Sequence, residues 1–520
     1  MKRNACLLAA AGLVFAVLSG CTTVGPDYAA PETEVPDAWY RASTAGIEAG
    51  EASLQTWWDT FNDPVLASLV DEAQTSNRTL AGAAARVLVA RAQLGIAEGV
   101  ALPRLTATGA SKLTRQSRDL VPSRPSPSGL QTVQGILAAG SAADALRLLL
   151  SASDQEEPGL SGEFHSYGFN AAWEPDFWGR IARSVESAEA SVEASVESYR
   201  DVLVLVLAQV AIAYIDIRTL QERLALAELN RTLQEETLAL TRNRFEAGLE
   251  PQIDVRQAEL NLANTRALVP SLQGQLEQRI NALALLLGTT PDAELMARLA
   301  PEPLPEAVDV AALRVPAEAL RQRPDIRAAE RLLAAQTARI GIAQAELYPT
   351  FSLGGTLTLE ATRFDNVFDR NNFVYNIGPQ FRWRLFEGGS LRARIALEEA
   401  LTEESRVAYE QTVLSAIEEV ESALAAYGRE VERERELRAA VRAAQRSVEQ
   451  VNVVYLAGLV DFQNVLDLQR SLTSVQDQHA ASRGQVLRNL VTLYRALGGG
   501  WHETPAPGTP AAETAMAQGA

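Results

Sequence analysis

The chain has 520 residues, of which 47% are hydrophobic and 22% are charged, a composition typical of a folded protein and not of a disordered one. Its 65 acidic residues outnumber its 47 basic residues, and the formal net charge is −18. Because no dense run of Lys and Arg appears, the chain would repel a phosphate backbone, and we expect no nucleic-acid partner.

The N-terminus has the pattern of a secretory signal, with a basic start, an apolar stretch and two small residues, and we predict a signal peptide over 1–20. The sequence Leu-Ser-Gly-Cys at 18–21 resembles the lipobox of bacterial lipoproteins, in which the cysteine is acylated and becomes the first mature residue. The alternative is a chance cysteine beside an ordinary cleavage site. We therefore expect a covalent lipid on Cys21, no other cofactor, and a lipid-anchored segment over 21–63. Since cleavage also removes Cys6, a disulfide is not expected.

The sequence matches itself at two places, which predicts an internal repeat. The segment RFEAGLEPQIDVRQAELNL at 244–262 matches VYLAGLVDFQNVLDLQRSL at 454–472, an offset of 210 residues. Upstream, two similar segments end at Pro103 and Pro349, an offset of 349 − 103 = 246 residues.

We predict that the first repeat spans 64–287 and the second 316–497, with a linker over 288–315. The offsets differ by 246 − 210 = 36 residues, which indicates an insertion in the first repeat. Turn-forming residues place it at 115–160, as a long extracellular loop. The C-terminal 498–520 is rich in Ala, Pro and Thr and is predicted to be disordered.

Four segments alternate between apolar and polar residues, as strands with one apolar face do. The predicted strands are 104–113, 164–177, 350–359 and 374–386. Their apolar sides carry Leu105, Ala107, Leu113, Tyr167, Phe169, Ala171, Trp173, Phe177, Phe351, Leu353, Leu357, Leu359, Tyr375, Ile377, Phe381, Trp383 and Leu385. This pattern suits a transmembrane β-barrel with a wet lumen, although a soluble sandwich with one solvated face is the alternative. Because a barrel needs about eight strands and lipid does not tolerate an open sheet edge, several chains would share one barrel.

Two segments predict very long helices. Residues 183–247 contain no Pro or Gly, and a helix of these 65 residues would be about 98 Å long. Residues 391–457 match them in length, and after Gly248 and Gly458 a helix of about 35 residues returns. Such lengths predict coiled-coil packing. The apolar run 202–215 is shorter than a membrane span and is predicted to be a buried seam.

Eight motifs distributed along the chain carry a family resemblance. They are CTTVGPDYAAP (21–31), TWWDTFNDPVL (56–66), EPDFWGRI (174–181), RFEAGL (244–249), RPDIRAAE (323–330), FRWRLFEGG (381–389), GLVDFQNVLDLQRSL (458–472) and LVTLYRALGGGW (490–501). Together they resemble the outer-membrane factors of efflux pumps, in the lipoprotein branch called the nodulation-T type. The resemblance implies an α+β membrane protein: a homotrimer with one twelve-stranded barrel, four strands from each chain, continued by a long α-helical coiled-coil tunnel in the periplasm.

The resemblance also implies a function. The chain would be a passive exit duct in the outer membrane, not an enzyme, for small toxic compounds or drugs. Its partners would be a periplasmic adaptor (membrane fusion) protein, an inner-membrane efflux transporter and outer-membrane lipid. Type I protein secretion and a non-channel coiled-coil scaffold stay open as alternatives. An enzyme is disfavoured because His165, His479 and His502 lie far apart and carry no metal-binding or nucleophile motif.

Two groups of site residues follow from the resemblance. Gly248, Leu249, Gly458, Leu459 and Asp461 would lie at the periplasmic tips and contact the adaptor, although a turn between antiparallel helices would by itself explain both glycines.

The second group would form the gate. Asp467 matches the acidic residue that lines the constriction of similar channels, and Asn464 stands where some members carry a second acid. The alternative for Asp467 is an ordinary exposed carboxylate. Tyr455 and Asp254 match positions that hydrogen-bond between neighbouring coils in some relatives, whereas the arginine that joins this latch is replaced by Val460.

Overall fold

The computed structural model of the chain describes residues 23–32, 35–36, 38–40, 54–115, 161–305 and 320–501. The predicted signal peptide 1–20, Cys21, the insertion from residue 116 to 160 and the tail after Trp501 lie outside the described residues.

The described residues form eight α-helices, four β-strands and three short 3-10 helices. The helices are α1 (Pro64–Ser76), α2 (Arg78–Val100), α3 (Arg180–Glu246), α4 (Gln252–Leu286), α5 (Ala293–Arg298), α6 (Pro324–Ala345), α7 (Ser390–Leu456) and α8 (Phe462–Ala496). The strands are β1 (Arg104–Arg115), β2 (Ser161–Trp173), β3 (Thr350–Ala361) and β4 (Phe373–Arg382). The 3-10 helices are Trp57–Phe61, Phe364–Asn366 and Arg370–Asn372.

The chain divides into two compact units. The sheet unit contains the four strands and comprises the described residues of 1–25, 96–182 and 341–392. The helical unit comprises those of 26–95, 183–340 and 393–520.

The four strands form one antiparallel sheet in the order β1-β2-β3-β4. In two adjacent rows, the register places apolar side chains opposite apolar ones, and polar side chains opposite polar ones, across all four strands. One row is Ala107, Phe169, Leu357 and Tyr375, and the adjacent row is Thr106, Asn170, Thr356 and Asn376. Since directly opposed residues share a face of the sheet, one face is apolar and the other polar, as the alternation predicted.

Two strands end earlier than predicted. We expected β2 to reach residue 177 and β4 to reach residue 386, but they end at Trp173 and Arg382. Arg382 pairs with Thr350, the first residue of β3, so β4 has no partner beyond it. Trp173 is the last residue of β2 paired with β3, and Pro175 soon after lacks an amide proton for a ladder hydrogen bond. Strand ends depend on the partner strand, which the alternation pattern does not reveal.

The long helices occur in two pairs of equal length. Helices α3 and α7 each span 67 residues, and α4 and α8 each span 35. At 1.5 Å per residue the longer pair extends about 100 Å and the shorter about 50 Å. Each long helix ends just before a glycine, Gly248 or Gly458, after which its shorter partner begins.

The apolar run at 202–215 is packed inside the helical unit. Leu207, Val210 and Tyr214 are among its residues that are completely buried. By length and hydropathy alone, 64–100 and 180–246 in the described chain could cross a membrane, but 67% of the apolar window of 180–246 is buried inside the protein. The run is therefore a core seam, as the sequence predicted.

Ordered structure occurs within the predicted linker and at the start of the segment predicted to be disordered. Helix α5 lies within the predicted linker 288–315, where Asp292 caps it by accepting a hydrogen bond from the Leu295 amide at 2.8 Å. The first residues of the predicted tail are packed, and Trp501 is only 9% exposed. Arg200 and Arg327 lie against its ring, at 4.8 and 5.3 Å from the centroid.

Candidate functional site: the tips of the helical hairpins

The two hairpin tips of the helical unit have the same backbone geometry. Gly248 and Gly458 both have φ of +73°, in the left-handed region that favours glycine. The Gly248 amide donates to Phe245 O at 2.9 Å and the Leu249 amide to Arg244 O at 2.8 Å. This pair of bonds is a Schellman motif, which satisfies carbonyls left free at a helix end. Gly458 and Leu459 repeat it with distances of 2.8 and 3.1 Å.

The tips are open to solvent. No atom lies within 4 Å of the position that a Cβ would take at either glycine, so the requirement for glycine comes from φ alone. Leu249 and Leu459 are 67% and 75% exposed. An apolar side chain that stands free on each turn adds nothing to the core, and these leucines are available to a partner.

Below the tips, the four long helices share a small apolar core. It consists of Leu238, Val255, Ala258, Leu262, Tyr455, Phe462, Val465 and Leu466. The Tyr455 ring lies 5.6 Å from the Phe462 ring, and the Arg244 guanidinium lies 4.9 Å from the Tyr455 centroid. Tyr455 is therefore a packing residue that joins the ends of both hairpins.

The Tyr455 hydroxyl is buried and has no hydrogen-bond partner among the described residues. Burial and the negative charge of Glu250 raise its pKa to about 12. Glu250 and Thr241 lie close enough to the hydroxyl to influence that pKa. The predicted bond from Tyr455 to Asp254 is not formed within the described chain, so the latch stays a prediction.

Asp254 instead belongs to a group of carboxylates at the tips. Burial, a hydrogen bond to Glu250 and the charges of Glu250 and Asp461 raise the pKa of Asp254 to about 6. Glu250 also forms an ion pair with Arg244 at 3.1 Å. Asp461 begins α8 without a side-chain cap bond, so its carboxylate is not used to hold the helix. The structure thus brings together Asp254 and Asp461, which the sequence assigned to different roles.

Asp467 and Asn464 both lie on the exposed side of α8. The Asp467 side chain is 59% exposed and accepts a hydrogen bond from Gln463 Nε2 at 2.9 Å. Asn464 Nδ2 donates to the carbonyl of Asp461 at 3.4 Å. Both side chains are therefore free of the core, as a pore-lining role requires.

One charged neighbour of Asp467 was not identified from the sequence. Arg470 Nη1 lies 3.7 Å from Asp467 Oδ1, and Arg470 Nε donates to Asn261 Oδ1 on α4 at 3.2 Å. The three-residue spacing places Asp467 and Arg470 on one helix face, which the sequence could have indicated. The contact with Asn261 joins residues 209 apart in sequence and has no sequence signal.

The sheet unit carries the second candidate surface. Three indole groups at the end of the sheet that adjoins α2, α3 and α6 donate to backbone carbonyls: Trp173 to Ala101, Trp178 to Pro349 and Trp383 to Leu347, at 2.9–3.0 Å. At the opposite end of the strands, Phe373 and Tyr375 are exposed on the apolar face, and Phe364 and Phe368 are exposed in the connection between β3 and β4. Aromatic residues at both ends of an apolar sheet face are typical of the two interfaces of a membrane.

In the described part of the chain, no group of three or more His, Cys, Asp or Glu residues is arranged to hold a metal ion. His165 and His479 form separate local contacts, with Glu163 at 3.4 Å and with Glu434 at 2.9 Å. The predicted lipidation site, Cys21, lies outside the described residues.

Comparison with known proteins agrees with this geometry. The family model described as outer membrane efflux protein matches residues 69–289 and 315–499. Nodulation protein T of Rhizobium leguminosarum bv. trifolii is 31% identical over 490 residues, which cover 94% of this chain and 96% of that protein. The antibiotic efflux pump outer membrane protein ArpC of Pseudomonas putida is 30% identical, over 94% of both chains.

The fold is also similar to that of a solved channel. The outer-membrane channel OprN superposes with a TM-score of 0.79 at 33% identity, over 92% of this chain and 99% of that one. These matches confirm the resemblance that the motifs carried. Because the family model covers more than half of the sequence and the relatives match almost from end to end, the chain belongs to the outer membrane efflux protein family.

Proposed function

We propose that this protein is the outer-membrane exit channel of a tripartite efflux pump. The observation that carries the proposal is a described four-stranded sheet with one apolar face and two open edges, in which β2 and β4 are each followed in sequence by a helix of 67 residues. Such a sheet is suited to lipid on one side and water on the other, and helices of about 100 Å are long enough for a periplasmic conduit. The names of the relatives, which include outer membrane and efflux proteins, agree with this function.

The channel would be a homotrimer. Strands β1 and β4 each pair on one side only, so the described sheet has two open edges. An open edge is not tolerated in lipid, and four strands are fewer than the roughly eight needed to close a barrel. If β1 of one copy pairs with β4 of the next, three copies give 3 × 4 = 12 strands with no open edge. The two halves of each chain would be structural repeats, which the equal lengths of α3 and α7, and of α4 and α8, support.

Cys21 would anchor the chain in the inner leaflet of the outer membrane. Thr23, two residues later, packs against Gly179, and the Val24 amide donates to Trp178 O at 3.1 Å. Two residues of extended chain span about 7 Å, so the lipid would emerge beside Trp178. That indole belongs to the aromatic group at one end of the sheet, which is the level expected for a membrane interface.

The hairpin tips would contact the periplasmic adaptor, and α8 would line the gate. Leu249 and Leu459, on the turns at Gly248 and Gly458, offer apolar contacts, and Asp461 stands beside them. Three copies of Asp467 would surround the constriction, with Asn464 nearby, and Tyr455 and Asp254 would influence its closure. The inner-membrane transporter would select the cargo and supply the energy, so the channel needs no cofactor apart from the lipid and no catalytic residue.

Small amphiphilic toxicants are the proposed cargo, and type I protein secretion is the alternative. The test is deletion of the gene from its Gram-negative host, followed by measurement of dye accumulation and drug susceptibility. We expect the deletion strain to accumulate dye and to be sensitized, and the parent gene to restore efflux. A matched control is the gene carrying Ile377→Arg, which should not restore it. Unchanged accumulation in the deletion strain, together with loss of a secreted protein, would favour the secretion alternative.

A further inference from the structure

The exposed face of α8 near the tip carries charges of both signs. Gln463, Asp467, Arg470 and Ser474 recur every three or four residues and are exposed, whereas Val465, Leu466 and Gln469 are buried. On an α-helix this spacing puts Asp467 and Arg470 one turn apart on the same side. A surface that includes the Asp467 carboxylate therefore also includes the Arg470 guanidinium.

Arg470 is held in place and is not a freely moving surface side chain. Its Nε donates to Asn261 Oδ1 on α4 at 3.2 Å, and Asn261 is only 5% exposed. Its Nη1 lies 3.7 Å from Asp467 Oδ1. The Arg470 side chain is 41% exposed, so it is anchored to α4 at one side and open to solvent at the other. A planar group anchored in this way keeps its charge at a fixed distance from the carboxylate.

The neighbouring charges on α4 are already paired. Arg256 contacts Glu259 at 2.8 Å, and the same carboxylate accepts from Arg242 on α3 at 2.7 Å. Arg266 pairs with Glu235 at 2.8 Å. The carboxylates of Glu250, Asp254 and Asp461 lie nearer the turns. Among the described residues, Arg470 is therefore the cation that pairs with Asp467.

We propose that Arg470 offsets the charge of Asp467 and that the pair, not the acid alone, sets the ion selectivity of the constriction. This inference rests on the proposed channel. If each of the three copies contributes one carboxylate and one guanidinium to the constriction, this layer of the pore has a net charge of 3 × (−1 + 1) = 0. A constriction of three carboxylates alone would concentrate cations, whereas a neutral layer discriminates weakly and admits both cationic and anionic cargo.

The inference predicts opposite effects for the two halves of the pair. Arg470→Gln should leave three uncompensated carboxylates and raise the permeability ratio of K⁺ to Cl⁻ by about threefold or more. Asp467→Asn should leave three guanidinium groups and lower the ratio by a similar factor. The double variant should return close to the parent, and Arg470→Lys, which keeps the charge but not the planar fork, should preserve the parental ratio.

The test is the reversal potential of purified full-length trimers in a planar bilayer with a tenfold KCl gradient. Opposite shifts in the single variants, cancelled in the double variant, would support the inference. A ratio that is unchanged in Arg470→Gln, or that shifts in the same direction in both single variants, would overturn it while leaving the channel intact. A silent parent would instead overturn the proposed channel. If Arg470→Gln did not assemble, the exposed Asp467→Asn variant would decide alone, and retention of the parental ratio would overturn the inference.

Discussion

Asp254 lies at the tip, and its pKa is raised toward neutrality. Its pKa, about 6, lies above the ordinary value of 3.8 because of burial and the nearby carboxylates. The folded chain therefore binds this proton more tightly than the unfolded chain does. The resulting stabilization is complete below pH 3.8 and is lost as the pH rises through 6. Above pH 6 the ionized Asp254 opposes the packing of the tip against Glu250 and Asp461.

We predict that hydrogen exchange of the first turn of α4 is slower at pH 5 than at pH 7.5, by roughly three- to tenfold after correction for intrinsic rates. Asp254→Asn should remove this difference, because an amide cannot ionize. Mass spectrometry of the tip peptides at the two pH values measures the effect. An equal pH dependence in the parent and the Asn variant would show that another group titrates.

Substitutions at Tyr455 distinguish the contribution of its ring to stability from that of its hydroxyl. Tyr455→Phe should leave the free energy of unfolding unchanged or raise it by about 1 kcal/mol, because it removes a buried hydroxyl that has no partner. Tyr455→Leu should lower it by about 1–3 kcal/mol, because the contacts with Phe462 and Arg244 are lost. Denaturant unfolding compares the variants. Marked destabilization by Phe, or more frequent channel opening, would indicate that the hydroxyl does form the latch.

The tip residues differ in how far the sequence could identify them. The repeat located Gly248 and Gly458 because a turn between helices needs a residue with positive φ, which glycine supplies at least cost. The position of Asp467 on an exposed helix face follows from helical periodicity. The contact of Arg470 with Asn261 and the approach of Asp461 to Asp254 depend on how two helices pack, and the sequence has no local signal for either.

At the scale of the elements, the turns at the tips can be tested for a role beyond geometry. Gly248→Ala should lower the free energy of unfolding by about 1–2 kcal/mol, because positive φ is unfavourable for an L-residue even though no atom clashes with its Cβ. Gly248→Asn should lower the free energy of unfolding by less, since Asn tolerates this conformation. Thermal unfolding and dye efflux are measured for both variants. If efflux falls in the Asn variant while stability is kept, the turn contacts a partner; if efflux simply follows stability, its role is structural.

The two faces of β4 should respond differently to a charge. Ile377 is 69% exposed on the apolar face of the sheet, and its neighbour Asn376 lies on the polar face. Ile377→Arg should lower the free energy of unfolding in the membrane by about 2–4 kcal/mol and reduce the yield of assembled trimer, whereas Asn376→Arg should be tolerated. Heat-modifiable gel migration of outer-membrane fractions reports assembly. Equal assembly of both variants would favour a soluble sheet and, with it, the scaffold alternative.

The helices and strands were predictable where apolar residues recur with a period of two, as in a strand, or of about 3.6, as in a helix. The alternation at 350–359 predicted β3, and the uninterrupted run at 183–247 predicted α3, because each pattern reflects one apolar face. The end of β4 at Arg382 was missed because it is set by the start of β3. The burial of Trp501 was also missed, since it depends on Arg200 and Arg327, which are distant in sequence.

For the whole molecule, the open edges of the described sheet are the feature on which the proposed trimer rests. In the described chain β1 and β4 each pair on one side only, and exposed apolar side chains such as Phe381 and Tyr375 cover one face of the sheet. Lipid on that face and two further copies at the edges would satisfy both features without a change of fold.

The proposed channel is tested most directly by single-channel recording of the purified, full-length protein in a planar bilayer. We predict discrete, reproducible openings from the parent protein and none from an equally prepared Ile377→Arg sample. A silent bilayer from parent protein that is trimeric and correctly folded in detergent would contradict the account, because a closed scaffold would then explain the helices without a pore.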